Sequence, residues 1–215
     1  MAQVLPEVDA LYGVPQPVAH HPEVDTGVHV ARALDYAARH GFALPVRYAI
    51  LAHDLGKGES PKEAWPKHHG HEARSARLAE RMSARLKVPA ECFDAARLAA
   101  KWHGVVHRAA ELRPATLLDL LLAADALRRP ERLDGLLAAC RADAQSRPGR
   151  GDDYAPERIV RDALVVVKSV DAAKIARAVA VKRSAVQAAS SDGIAQALRT
   201  ARLKALRHWR AMRAG

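Results

Sequence analysis

Apolar positions in this chain recur at spacings of three and four and show no convincing alternation of period two. The first such stretch carries Val28, Ala31, Leu34, Ala37 and Ala38 and predicts a helix that stops at Gly41, with Asp25 or Thr26 able to cap its start. His29 lies in its first turn beside the apolar stripe and is expected to point inward. A second helix is predicted from about Pro45 to Leu55, through Val46, Ala49, Ile50 and Ala52. His53 and Asp54 fall in its last turn and Gly56 ends it. Residues 56–70 are rich in Gly, Pro and Lys and read as a loop. A long helix through Leu78, Met82 and Leu86 stops before Pro89, and the next runs from Pro89 to Trp102-His103-Gly104. Residues 104–113, with His107, read as a loop. Pro114 opens a very apolar helix that contains Asp125, and Pro130 closes it and starts another to Gln145.

The first 27 residues, with prolines at 6, 15, 17 and 22, form an irregular lead before a helical domain over 28–146. Residues 147–155 read as a Gly/Pro linker. Beyond it, helices are predicted from about Pro156 to Ser169, Asp171 to Lys182 and Ser191 to Met212, a smaller helical tail over 156–215. No internal repeat is found. The fold class is all-α: a helical bundle followed by a tail.

Composition narrows the function classes. Aromatic residues make up only 4% of a chain that is 49% apolar, so Ala, Leu and Val must build the core. Cys92 and Cys140 are far apart in apolar surroundings, as buried thiols rather than a redox or zinc pair. No charge-free run approaches the ~18 residues of a membrane span. The first residues lack a basic end followed by an apolar core, so the expected location is the cytoplasm.

The net charge is +10, which favours a polyanionic partner. Residues 151–215 hold thirteen Lys/Arg against six Asp/Glu, a net of +7. In the last helix Ile194, Leu198, Ala201, Ala205, Trp209 and Met212 form an apolar stripe, flanked by Arg199, Arg202, Lys204, Arg207, Arg210 and Arg213. Either a solvated face on a packing helix or a phosphate-contacting rail fits that pattern.

Of eleven histidines, all but His208 lie between His20 and His107, which argues for a site. His29 and the His53-Asp54 pair converge if their helices run antiparallel. Asp125, inside an apolar helix, would cost several kcal/mol if buried unpaired. A divalent cation held by His29, His53, Asp54 and Asp125 would be its partner. Two imidazoles and two carboxylates leave open coordination positions, the mark of a catalytic rather than a structural site. Nickel, manganese, magnesium and cobalt all accept such a set. Lys57, one turn past His53, is the expected phosphate-side cation, against a solvated loop lysine. His71 and His103 are candidates for a second metal or for protonating a leaving oxygen. His68, His69 and His107 are weaker candidates of the same kind, and Glu23 and Asp25 are capping or orienting groups.

The order His29, His53-Asp54, Asp125 resembles the HD-domain superfamily of metal-dependent phosphohydrolases. Five segments are similar, in more detail, to the C-terminal half of the multifunctional bacterial CCA-adding enzymes. They are Tyr12-Gly13-Val14-Pro15, His21 to Gly27, His53 to Gly58, Trp65 to His71 and Asp125-Ala126-Leu127-Arg128-Arg129-Pro130. The resemblance implies an HD domain followed by a tail that holds tRNA, here through Arg199, Arg202, Arg207, Arg210 and Arg213. It implies phosphatase, 2'-nucleotidase and 2',3'-cyclic phosphodiesterase activity on RNA 3' ends or small nucleotides. No Gly-Ser pair with a following Asp-x-Asp pair is found, so CCA addition by these residues is not expected. Two other readings compete: a tRNA-binding module with an idle site, and an HD nucleotidase unrelated to tRNA.

Overall fold

A computed structural model describes residues 2–18, 24–147, 149, 153–183 and 191–214. Among these residues there is no strand, only an isolated bridge between Pro15 and Asp25. The helices are α1 (Pro6–Asp9), α2 (Thr26–Arg39), α3 (Leu44–Ala52), α4 (His71–Leu86), α5 (Ala90–His107), α6 (Pro114–Ala123), α7 (Pro130–Gln145), α8 (Ala155–Lys168), α9 (Ala172–Arg183) and α10 (Ser191–Ala214). The all-α expectation holds.

The pivot of the bundle is α3. Its Tyr48, Ala49, Ile50 and Ala52 are all buried, so it is apolar around most of its circumference and sits inside the bundle. It packs chiefly on α5, then on α7 and α2. Ala49 and Ile50 join the main core with Leu117, Leu121, Leu133 and Leu137. Tyr48 and Ala52 face a second core with Leu11, Leu55, Leu78 and Met82. Whatever follows the last turn of α3 is therefore delivered to the interior.

Several helix ends differ from the sequence reading. Helix α3 stops at Ala52, with His53 as its C-cap, and a short 3-10 turn spans Leu55–Lys57. Gly56 is required by proximity: a Cβ there would meet the His71 carbonyl oxygen at 2.2 Å and the Ser75 nitrogen at 2.5 Å. Helix α5 continues through Gly104, so His107 is helical rather than in a loop. Helix α6 ends at Ala123, and Asp125 follows it with φ of 53°. A left-handed residue cannot continue a helix, so Asp125 is not inside α6.

The lead is tied to α2. The Asp25 carboxylate accepts hydrogen bonds from Val28 N (2.9 Å) and Gly13 N (2.6 Å), and the Thr26 hydroxyl donates to Val14 O (2.9 Å). Beyond the linker, Val160, Ala163, Val167 and Leu206 enter the same core as α3 and α7. On α10 the buried face runs through Leu203, Leu206 and Trp209, while Met212 is exposed, so the stripe predicted to end at Met212 turns away before it.

Candidate metal centre

His29, in the first turn of α2, and His53, at the end of α3, point into the same interior space, with ring centroids 6.1 Å apart. Asp54 follows His53 and is likewise buried. The second carboxylate is Asp143, from α7. Its Oδ1 lies 2.9 Å from His29 Nε2, and its Oδ2 lies 3.8 Å from His53 Nε2. Donor atoms of His29, His53 and Asp143 all fall within 4.8 Å of one another, as do those of His53, Asp54 and His103.

Asp125 does not join them. It sits at the turn after α6, where Arg128 grips both carboxylate oxygens at 2.9 Å and Arg129 reaches one at 3.3 Å. The Arg128 hydrogen bonds, outweighing a little desolvation, hold its carboxyl below the usual range. The carboxylate that the structure brings to His29 and His53 is therefore Asp143 and not the expected Asp125. Asp125 does need a cationic partner, but the next turn of its own chain provides it. Asp143 continues the buried stripe of α7 after Leu133, Leu136, Leu137 and Cys140, a helical period that could have singled it out.

Three imidazoles share an orientation. Nδ1 of His53 donates to Ile50 O (2.7 Å), Nδ1 of His103 to Ala99 O (2.9 Å) and Nδ1 of His71 to His68 O (3.2 Å). A carbonyl oxygen only accepts, so each Nδ1 carries a proton and, in the neutral ring, each Nε2 presents a lone pair. Those lone pairs face other acceptors. His53 Nε2 is 3.1 Å from Asp54 Oδ2; His71 and His103 Nε2 are 3.3 and 3.5 Å from Asp54 Oδ1, and 3.4 Å from each other. His53 Nε2 and Asp54 Oδ1 make no properly directed hydrogen bond among the described residues, although both are buried and closely approached. Facing lone pairs repel unless a proton or a cation lies between them. Borderline nitrogen and hard oxygen donors, converging in a buried space, fit a divalent ion.

The electrostatics match. Burial alone would raise the Asp54 pKa, but His53 and Lys57 outweigh it and hold the carboxyl well below its ordinary range. Burial is likewise overcome at Asp143, by His107 and Arg147. Lys57 Nζ donates to Asp54 Oδ2 (2.7 Å) and to Gln16 Oε1 (2.6 Å). Gln16, from the lead, is a site residue that the sequence reading missed, because glutamine in a Pro-rich stretch gives no signal. Arg147, also missed, donates to Asp143 Oδ1 at 2.7 Å.

Other candidates divide. His68 is buried and donates to Pro15 O (2.7 Å), strapping the lead to the 56–70 loop; burial lowers its pKa. His69 is exposed, and His107 contacts Asp143. Asp25 caps α2, whereas Glu23, His20 and His21 lie outside the described residues. Beside the site a cleft of about 820 Å³ opens, lined by Lys57, Lys67, His68, His71, His107 and Arg108 among others.

The basic helix behaves differently from a free rail. Arg199 pairs with Asp119 (2.7 Å) and Arg213 with Asp162 (2.9 Å). Arg210 donates to the carbonyls of Ala109, Ala110 and Leu112 just beyond α5. Arg202 is half-buried, and only Arg207 of the five is exposed with no ion pair found among the described residues.

A family model described as "HD domain" matches residues 26–147. The chain belongs to the HD-domain family. Membership indicates a superfamily of metal-dependent phosphohydrolases, and the buried His/Asp groups of this HD domain are compatible with its metal site. The "Multifunctional CCA protein" of Nitrosospira multiformis is 51% identical over 181 residues, covering 84% of this chain and 44% of that protein. The protein of the same name from Burkholderia vietnamiensis is 48% identical over 203 residues, 92% of this chain and 49% of the relative. That of Methylobacillus flagellatus is 46% identical over 207 residues, 96% and 48%. The chain thus spans about half the length of these relatives. No solved structure matches it. Among the described residues, no helix is long and apolar enough to cross a membrane.

Proposed function

We propose that this HD domain is a divalent-metal-dependent phosphohydrolase that opens 2',3'-cyclic phosphates and removes terminal phosphates from nucleotides or RNA 3' ends. The reading rests on one observation: the Nε2 lone pair of His53, fixed by the Nδ1 bond to Ile50 O, faces the buried Asp54 and Asp143 carboxylates at 3.1 and 3.8 Å. His29, His53, Asp54 and Asp143 are the residues that would hold the ion, nickel, manganese or magnesium. When bound, a divalent ion supplies Lewis-acid polarisation of a phosphoryl oxygen and acidifies water for attack on phosphorus. Lys57, already oriented by Asp54 and Gln16, adds positive charge on the cleft side, where the phosphoryl oxygens become more negative. His71 lines the cleft, and once its Nε2 has taken up a proton the imidazolium is the group suited to pass that proton to the leaving ribose oxygen. His103 backs it. In the cyclic substrate water adds to phosphorus, one ribose–oxygen bond to phosphorus breaks, and a monoester remains.

The similarity to multifunctional CCA proteins favours tRNA 3' ends as the physiological context. A second reading, small nucleotides as substrates, is favoured by the internal engagement of Arg199, Arg210 and Arg213, which leaves few free cations on α10. The deciding experiment is hydrolysis of 2',3'-cyclic AMP with and without Mn²⁺, Ni²⁺ or Mg²⁺, for the wild type and Asp54→Ala. Metal-dependent turnover lost in the variant is expected. Equal turnover in both proteins, or none with any metal, refutes the hydrolase. Salt-dependent tRNA binding then separates the two substrate readings.

A further inference from the structure

Asp143 is the last ligand residue of the site in chain order, and behind it stands a hydrogen-bonded file that ends beyond the linker. Tyr154 Oη lies 2.7 Å from His107 Nδ1, and His107 Nε2 lies 2.6 Å from Asp143 Oδ2. We propose that Tyr154 is a positioning residue for the metal site: through His107 it fixes the Asp143 carboxylate, so the segment entering α8 helps set the affinity for the cation.

With a neutral imidazole the donors and acceptors admit one assignment. The ionised Asp143 carboxylate only accepts, so His107 Nε2 carries the proton. The remaining Nδ1 of the neutral ring accepts, so the Tyr154 hydroxyl donates. His107 is therefore the opposite tautomer from His53, His71 and His103. Its protonated Nε2 cannot ligate a metal, which removes it from the candidate ligands and makes it a holder of one. Such outer partners orient a ligand and raise its basicity.

Tyr154 is itself fixed. It is 9% exposed and belongs to the main core with Cys140, Ile159 and Val160, and its ring meets that of His107 edge-on at 5.8 Å. With Arg147 on Oδ1 and His107 on Oδ2, both Asp143 oxygens are held. The hydroxyl of Tyr154 thus ties the orientation of a metal ligand to the docking of α8.

The proposal rests on the reading that His29, His53, Asp54 and Asp143 hold a divalent cation. The EDTA-stripped full chain is titrated with Mn²⁺ by calorimetry, and Co²⁺ absorption reports the ligand field. Tyr154→Phe, which keeps the ring in the core, is expected to weaken Mn²⁺ binding about tenfold and to shift the Co²⁺ bands. His107→Gln, which breaks the file while leaving the Tyr154 side chain itself intact, should give the same loss, and the double variant no more than either. Val160→Ala, a packing change on α8, should lower the melting temperature of the stripped chain and leave Mn²⁺ affinity unchanged. A loss below about threefold in Tyr154→Phe, or an equal loss in Val160→Ala, overturns the proposal. If the wild type itself takes up no Mn²⁺, Co²⁺ or Ni²⁺, the reading of the site fails first, and that outcome is distinguishable from the others.

Discussion

Replacing Asp143 by Asn removes one negative charge from the centre of the site and almost nothing from its volume. Two donor groups hold that charge, Arg147 at 2.7 Å and His107 at 2.6 Å, and His29 Nε2 lies 2.9 Å away. The carboxylate is 4% exposed, so water cannot take its place. Breaking a buried charge pair of this kind costs about 3–5 kcal/mol. The amide keeps one acceptor oxygen, so we expect the lower part of that range for the metal-free chain. Metal affinity should fall further. Loss of an outer partner typically costs 10–100-fold, so loss of a ligand should exceed about a hundredfold, or ~2.8 kcal/mol at 1.4 kcal/mol per decade. Asp125→Asn is the matched control. Its partners are the exposed Arg128 and Arg129, and it should leave metal affinity and cyclic phosphate hydrolysis unchanged. Urea unfolding of the stripped proteins, Mn²⁺ calorimetry and 2',3'-cyclic AMP turnover read the three quantities. If Asp125→Asn abolishes metal binding while Asp143→Asn keeps it, the assignment of the second carboxylate is wrong.

Three further outcomes are expected. Gly56→Ala should destabilise the chain by about 3 kcal/mol or more, measured by thermal unfolding, because its methyl would meet the backbone of α4 rather than a movable side chain. The stripped chain should lose stability with acid in two stages. His107 has a folded pKa below its unfolded ~6.5, so the unfolded state takes up the proton first and stability falls as pH drops below about 6.5. Asp54 and Asp143 are depressed well below ~3.9, so their contribution is intact above about pH 4 and drains as pH falls through the folded values. A melting temperature flat from pH 7 to 3 contradicts this. Finally, Arg210→Ala should cost about 1.5–3 kcal/mol of stability through its carbonyl contacts, with little effect on tRNA binding. Arg207→Ala should do the reverse, measured by salt-dependent filter binding.

How much of this was legible beforehand depends on the range of the interaction. The His53-Asp54 pair, Lys57 and the inward turn of His29 are local features, each readable from a helical period and a chain break. Gln16 offered nothing local, since its role comes from Lys57, 41 residues away, whereas Arg147 stands one helical turn past Asp143 and gains its role only once Asp143 is placed in the site. Asp125 misled because its apolar neighbours imitate burial. Two arginines three and four residues on, in a left-handed turn, satisfy it instead. Gly104 predicts a helix end that leaves His107 in a loop, yet α5 carries on since its packing against α3, α4 and α7 outweighs the roughly 1 kcal/mol that one glycine costs.

The sequence by itself determined an all-α chain, most of its helices, and a histidine-rich core of site residues, because helical periodicity, caps and breakers act over a few residues. Only the tertiary structure decided which aspartate meets the histidines, which arginines are free, and which ring nitrogen points inward. Those outcomes depend on groups brought together from distant helices, where burial and opposing charge, not neighbours in the chain, set the energy.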